Sequence, residues 1–448
     1  MFLAGPGRAE PQTFTLEGAV SYARLHNPEI AIAQKKVEAA RGGIIEARSG
    51  YLPSVISTGL LRERQHQTDS RLRDEDYSAS IRVVQDVYTG GEVASQLAIA
   101  RLKLEKQELE LKAISNRVLM DVRVAFNELL FNRSKIRVRE QSVAVLDEEL
   151  KTEQQRLSAG LVGQLNVGRA QVAVAKEKTE LIDAQTQLNN SYLQLSALLG
   201  TAPDAQKTGP AFEASGQLVY QPHHAELSEC LARAEVDRPE IQARQKDIQI
   251  EDVQEKLDRS EMRPHVEAFS GYELYNERDP LIGPEFNHGY VLGLNARWHV
   301  FDGFATKGKL IATRARREAA AQALAAMRQT VSSEVRSAFL DLQQADRVVE
   351  SETKNVQTAD ESLEIAKANV SAGLGTQLDT LQAAADVTRT RTSRLNGIFL
   401  QNSALARLAR ACATSPDTLQ FSPGTTKAGQ SNRPAAAVVR PPDRLSQQ

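Results

Sequence analysis

Val87-Tyr88-Thr89-Gly90 and Val300-Phe301-Asp302-Gly303 decide how this chain is read. Each closes a segment of alternating apolar and polar residues and opens a very long helical one, and the two lie 213 residues apart. Downstream the offset holds: Ala125-Phe126 returns as Ala338-Phe339, and Ser158-Ala159-Gly160-Leu161 as Ser371-Ala372-Gly373-Leu374. Upstream, Tyr77 matches Tyr290. Further back the offset is 211, with Leu16, Asn27-Pro28-Glu29-Ile30 and Pro53 answered by Leu227, Arg238-Pro239-Glu240-Ile241 and Pro264. A hairpin loop absorbs a two-residue difference of this kind. Self-similarity at one long period predicts two copies of a single unit, not the three domains that 448 residues could hold.

The unit reads as helix, strand, strand, long helix, helix. The first copy covers residues 16–199, with a first helix over Leu16–Ser49 ended by Pro53, strands at about 54–66 and 77–88, and a helical hairpin over 91–199. The second covers 227–413, with a first helix over Leu227–Glu261 ended by Pro264, strands at about 265–276 and 289–301, and a hairpin over 303–411. Outside the copies lie an N-terminal extension, 1–15, an inter-repeat linker, 200–226, and a tail, 414–448. The distal tail, past Gly424, carries Pro434, Pro441 and Pro442 and reads as disordered.

The strand segments have a period of two. Tyr77, Ala79, Ile81, Val83 and Val87 face one way; Ser78, Ser80, Arg82 and Asp86 face the other. In the second copy Tyr290, Leu292, Leu294, Ala296, Trp298 and Val300 oppose Asn295, Arg297 and His299. The links between strands, Gln65–Asp76 and Asn276–His288, are polar and turn-rich. The helical segments step by three and four. Val118, Val122, Ala125, Leu129, Ile136, Val143, Leu146, Leu150 and Leu157 form one seam. Val331, Val335, Ala338, Leu342, Ala345, Val349, Val356, Ala359, Leu363, Ala366 and Val370 form the other. Such heptads predict coiled-coil packing. Each long helix then stops where Gly160 or Gly373 suits a left-handed cap.

Composition narrows the function. Lys+Arg 55 against Asp+Glu 57 leaves a net charge of −2, so no basic excess points to nucleic acid. With 5% aromatic residues, one large globular core is not expected. No run of 18 apolar residues marks a transmembrane helix, although strands of a membrane barrel give a far weaker signal. No GxSxG, HExxH or Walker motif is present, which argues against an enzyme. Cys230 and Cys412 sit in no CxxC or Cys/His cluster and read as plain buried thiols. His223-His224 reads as solvated linker, and Arg101–Glu110 and Lys176–Glu180 as solvated helix faces. No metal and no cofactor is expected. Met1–Ala9 shows neither the charged nor the apolar region of a signal peptide.

Four strands cannot close a barrel, since the smallest stable ones have about eight. One strand face needs burial or lipid, and the other is polar, the arrangement of a membrane barrel. Closure then needs several chains, as do the narrow heptad stripes.

In these features the chain resembles the outer-membrane efflux proteins of the TolC family, from about Leu16 to Ala413. The resemblance rests on Leu16, Ala19, Ala23, Asn27 and Pro28, on Leu52-Pro53 before the first strand, on Val300–Gly303, and on Ala159–Val162 with Ala372–Gly375. It implies a mainly α fold with a β-barrel portion, a homotrimer placing a 12-stranded membrane barrel on a periplasmic α-helical barrel. It also implies a passive exit duct in the outer membrane of a Gram-negative bacterium, serving a tripartite efflux or type I secretion system. Its partners would be a periplasmic adaptor, an inner-membrane transporter and outer-membrane lipid. Gly160, Leu161, Gly373 and Leu374 would be the adaptor-docking tips. Asp379 would stand at the periplasmic entrance with Asn166, its first-copy counterpart, and Gln382, which stands where relatives carry a second Asp. Arg82, Asp86, Arg297 and His299 would line the barrel lumen. Ile81, Val83, Leu292, Leu294 and Trp298 would face lipid, with Trp298 and Tyr290 in an interfacial aromatic belt. No lipobox cysteine supports the acylated branch of the family. The competing reading is a soluble helical-hairpin scaffold without channel activity; the missing signal peptide favours it, and the apolar strand faces favour the channel.

Overall fold

The computed structural model describes residues 12–63, 74–201, 212–223, 225–276, 279, 281 and 286–414. The distal tail, the polar interstrand links and the end of the first strand segment lie largely or wholly outside the described residues.

A short strand β1 (Gln12–Phe14) leads into α1 (Leu16–His26), α2 (Pro28–Ser49), β2 (Ser54–Glu63) and β3 (Glu75–Tyr88). The long α3 (Glu92–Ser158) and its return α4 (Gln164–Leu199) follow. After β4 (Phe212–Ala214), the same succession appears as α5 (Leu227–Asp237), α6 (Pro239–Ser260), β5 (His265–Asn276), β6 (Phe286–Arg297), α7 (Ala305–Ser371) and α8 (Gln377–Ala411).

Two details differ from the sequence reading. The first helix of each copy is two helices, broken at Asn27 and at Arg238. The following proline has no N–H to continue the preceding helix, yet it is well placed at the first position of a new one. The second helices end at Ser49 and Ser260, at the first expected end and within one residue of the other. In addition, β1 pairs in parallel with β4 in the linker, register Phe14 to Ala214. Strands of three residues are too short to show periodicity.

α3 and α7 are 67 residues each, about 100 Å at 1.5 Å per residue. Their seams point inward. Val118, Val122, Ala125 and Leu129 join Ala19, Ala23 and Phe212 in one core. Val331, Val335, Ala338 and Leu342 join Cys230, Ala234 and Leu408 in a second. Leu146, Val174, Ala359, Leu363, Ala384 and Val387 make a third where the two hairpins meet, nearer the tips. Each fully buried Val or Leu contributes about 1.5–3 kcal/mol.

Neighbour order is the same in both layers. The sheet runs β2-β3-β5-β6, antiparallel throughout. Above the hairpins, α2 packs on α3, α3 on α6, and α6 on α7. Along the hairpins α4 packs on α3, α3 on α8, and α8 on α7. Among the described residues each row is open at both ends.

Two charged stretches read as solvated faces instead bind these rows together. Lys106 Nζ meets Asp247 at 2.7 Å and Lys246 Nζ meets Glu105 at 2.6 Å, linking α3 to α6. Arg139 meets Glu177 at 3.0 Å and Glu180 at 3.1 Å, linking α3 to α4. Helical charge patterns look alike in sequence whether the partner is water or a neighbouring helix. His223 is likewise not a solvated linker residue: its Nε2 lies 2.8 Å from Asp346 Oδ2 of α7. His224 lies outside the described residues.

Candidate functional site

The pairing register decides which side chains share a face of the sheet. Ile81 opposes Tyr272 and Val83 opposes Ser270; across the next pair, Tyr272 opposes Tyr290, Ser270 opposes Leu292, and Ala268 opposes Leu294. Ile81, Val83, Leu292 and Leu294 therefore lie on one face. That face is bare: Tyr290 is 88% exposed, Leu292 80% and Leu294 72%. Trp298 follows the end of β6, and its indole Nε1 donates to Met262 O at 3.0 Å while the ring stays exposed. From Tyr290 to Trp298 the chain advances about 26 Å at 3.3 Å per residue, close to the height of a lipid-facing band.

The opposite face is polar. Arg82 donates to Glu273 at 2.8 Å and lies over the Phe269 ring at 5.8 Å. Asp86 opposes Glu267, and Arg297 opposes His265. Asp86, Glu267, His265 and Arg297, with Glu92, Glu261, Asn295, His299 and Asp302, line a cavity of about 520 Å³ where the sheet meets the long helices. Three of the four lumen residues read from the sequence, Asp86, Arg297 and His299, thus come together. Arg82 stands further along the strand. Glu92, His265 and Glu267 were missed, because β5 alternates imperfectly and Glu92 belongs to a helix start. His265 Nε2 lies 2.8 Å from Glu92 Oε2. The junction also explains the deciding motifs. Asp302 accepts the Thr306 N–H at 2.7 Å, and Thr89 accepts the Val93 N–H at 3.5 Å, each steering the chain into a helix. Hydrogen bonds from Thr306 hold the Asp302 carboxyl below its ordinary range. Gly90 has φ +64°, and a Cβ there would meet Arg263 Cβ at 2.6 Å.

At the far end, Gly160 and Gly373 have φ of +72° and +74°. Leu161 N–H donates to Arg156 O at 2.9 Å and Gly160 N–H to Leu157 O at 2.9 Å; Leu374 and Gly373 repeat the pattern on Asn369 and Val370. These are Schellman caps, which usually add an apolar contact from the residue after the glycine. Here Leu161 and Leu374 are left 71% and 82% exposed. The two returning helices start differently. α4 has no side-chain cap, whereas Thr376 and Asp379 form a capping box on α8. Asp379 Oδ2 accepts from Thr376 N at 2.8 Å and from its hydroxyl at 2.7 Å, which holds the carboxyl below its ordinary range. Asp379 and Gln382 are exposed, and Asn166 is half-buried.

Among the described residues no helix is long and apolar enough to cross a membrane, and no group of three or more His, Cys, Asp or Glu could hold a metal ion.

The chain is similar to known proteins. CyaE of Bordetella pertussis is 22% identical over 408 residues, 90% of this chain and 85% of its own length. The protease secretion protein PrtF of Dickeya chrysanthemi is 26% identical over 203 residues, and that match spans 44% of its length and 41% of this chain. In fold, the chain matches the crystal structure of the CmeC outer membrane channel of Campylobacter jejuni with a TM-score of 0.75 at 13% identity, covering 90% of this chain and 88% of that one. The family model described as outer membrane efflux protein matches residues 19–201 and 230–414, most of both successions of elements. The chain belongs to the outer membrane efflux protein family.

Proposed function

We propose that three copies assemble into an exit duct, a 12-stranded barrel in the outer membrane standing on a periplasmic α-helical barrel. The observation that carries this is the pair of open rows. The sheet ends in β2 and β6, and the helical layer ends in α2 and α7, with the same order in both. An unpaired strand edge and an unpaired helix flank at each side of one chain are complementary to those of a rotated copy, and a closed ring removes every edge. The bare apolar face then meets lipid, and the Arg82, Asp86, Arg297 and His299 face meets water in the lumen.

In this reading the chain is organised as two units, 16–199 and 227–413, joined by the 200–226 linker. The duct is passive. An inner-membrane transporter and a periplasmic adaptor deliver the substrate, with the adaptor seated on Gly160-Leu161 and Gly373-Leu374. Exposed leucines at the end of a long polar hairpin offer it a small apolar foothold. Selection among substrates rests with the transporter, because the duct has no chemical step of its own.

Detergent-extracted protein is expected to have a mass of three times 49.2 kDa and to open steady conductance in planar bilayers. A monomer without conductance would overturn the proposal.

A further inference from the structure

Cys230 and Cys412 come from opposite ends of the second succession of elements and meet in its core. Cys230 lies in the first turn of α5, its N–H donating to Glu226 O at 3.0 Å. Cys412 caps the C-terminus of α8, its N–H donating to Leu408 O at 2.8 Å. They are 3% and 1% exposed and share one apolar cluster with Ala234 and Leu408. Both are free thiols within that one cluster. Internal homology gives the same two positions a place in the first core. At offsets of 211 and 213 the counterparts are Ala19 and Leu199, both 0% exposed and both in the corresponding core of the first copy. An Ala–Leu packing position in one copy is thus a pair of thiols in the other. No other cysteine in the chain competes for either one.

We propose that Cys230 and Cys412 are joined as a disulfide in the mature protein, formed by exchange with an oxidant of the thiol–disulfide oxidoreductase class. This rests on the outer-membrane reading, since a disulfide persists in an oxidising compartment such as the periplasm. One thiolate of the pair attacks the donor disulfide and releases one donor thiol; the other then attacks the mixed disulfide and releases the second. Two protons and two electrons leave the pair, and the donor disulfide becomes two thiols. With both sulfurs this deeply buried, the exchange takes place before α5 closes on α8. The bond then staples the C-terminal end of α8 to α5 and encloses β5, β6 and the α7–α8 hairpin in one covalent loop. A crosslink over so long a loop restricts the unfolded chain strongly.

The test uses full-length protein recovered from the outer-membrane fraction, denatured, and alkylated with iodoacetamide with and without prior reduction. Intact mass is expected to show no adduct without reduction and two after it. Two adducts without reduction would overturn the proposal. A second arm separates this from an error of compartment. Purified, reduced protein is held with oxidised glutathione just below its melting temperature, where helix ends open. Closure to an internal disulfide with no retained glutathione supports the pairing. Glutathione on both cysteines, or two free thiols, overturns it wherever the chain resides. Reduction should also lower the melting temperature of the wild type and leave that of Cys412→Ala unchanged.

Discussion

Asn27 and Arg238 occupy equivalent helix junctions and fill them with different chemistry. Asn27 accepts the Glu29 and Ile30 N–H groups at 2.9 and 3.2 Å, and its Nδ2 donates to Leu198 O at 2.7 Å. Arg238 has no acceptor and leaves α6 without a side-chain cap, yet it reaches the matching carbonyl, Ala411 O, at 3.3 Å. Its charge is met by Glu240 at 3.1 Å and Glu334 at 2.9 Å. Asn27→Ala should therefore remove a cap and orphan a buried carbonyl, costing about 2–3 kcal/mol in thermal or denaturant unfolding. Asp379 poses a different question, since its carboxylate is engaged by Thr376. A depressed carboxyl contributes stability above its unfolded pKa and loses it as pH falls through the folded one. The cap is then intact at neutral pH, and Asp379 is charged there. Three such carboxylates around a trimer axis would attract cations. Asp379→Ala should weaken block by multivalent cations added from the periplasmic side, whereas Thr376→Ala, which weakens the cap and keeps the charge, should leave block unchanged. Equal block in wild type and Asp379→Ala would leave the residue as a cap alone.

Among the elements, the strands separate an apolar face from a polar one. Leu292→Arg places a charge on the bare face, at a cost of about 2–4 kcal/mol near the bilayer midplane. Assembled protein in the outer membrane should fall sharply. Arg82→Gln alters the polar face and breaks the 2.8 Å pair with Glu273. Assembly should survive, with conductance changed. If both variants assembled equally well, Leu292 would not face lipid. The faces were legible because the alternation at Tyr77–Val87 and Tyr290–Val300 is regular, and the seams because Val118–Leu129 and Val331–Leu342 keep the heptad. The break at Asn27 was less legible, since a proline inside a helical pattern reads equally as a kink or a new start.

In the whole molecule, the proposed tips lie at the far end of the hairpins from the sheet. Replacing Leu161 and Leu374 by Asp alters two side chains that are 71% and 82% exposed, so folding of the chain does not depend on them. Export should be lost while the yield of trimer is unchanged. Export that survived both changes would remove the leucines from adaptor contact.

The succession of two strands, a long helix and a returning helix in each copy, the two strand faces and the helix seams were legible in the sequence, because each follows from the period of side chains along one segment. The sequence by itself could not place segments far apart in the chain against one another. Only the tertiary structure brought β1 to β4, His265 to Glu92, Lys106 to Asp247 and Cys230 to Cys412. Each of these meetings depends on strand register or helix packing, which local periodicity does not encode. The charged stretches show the reason most directly: a solvated face and an interhelical ion pair have the same pattern, and only the neighbour distinguishes them.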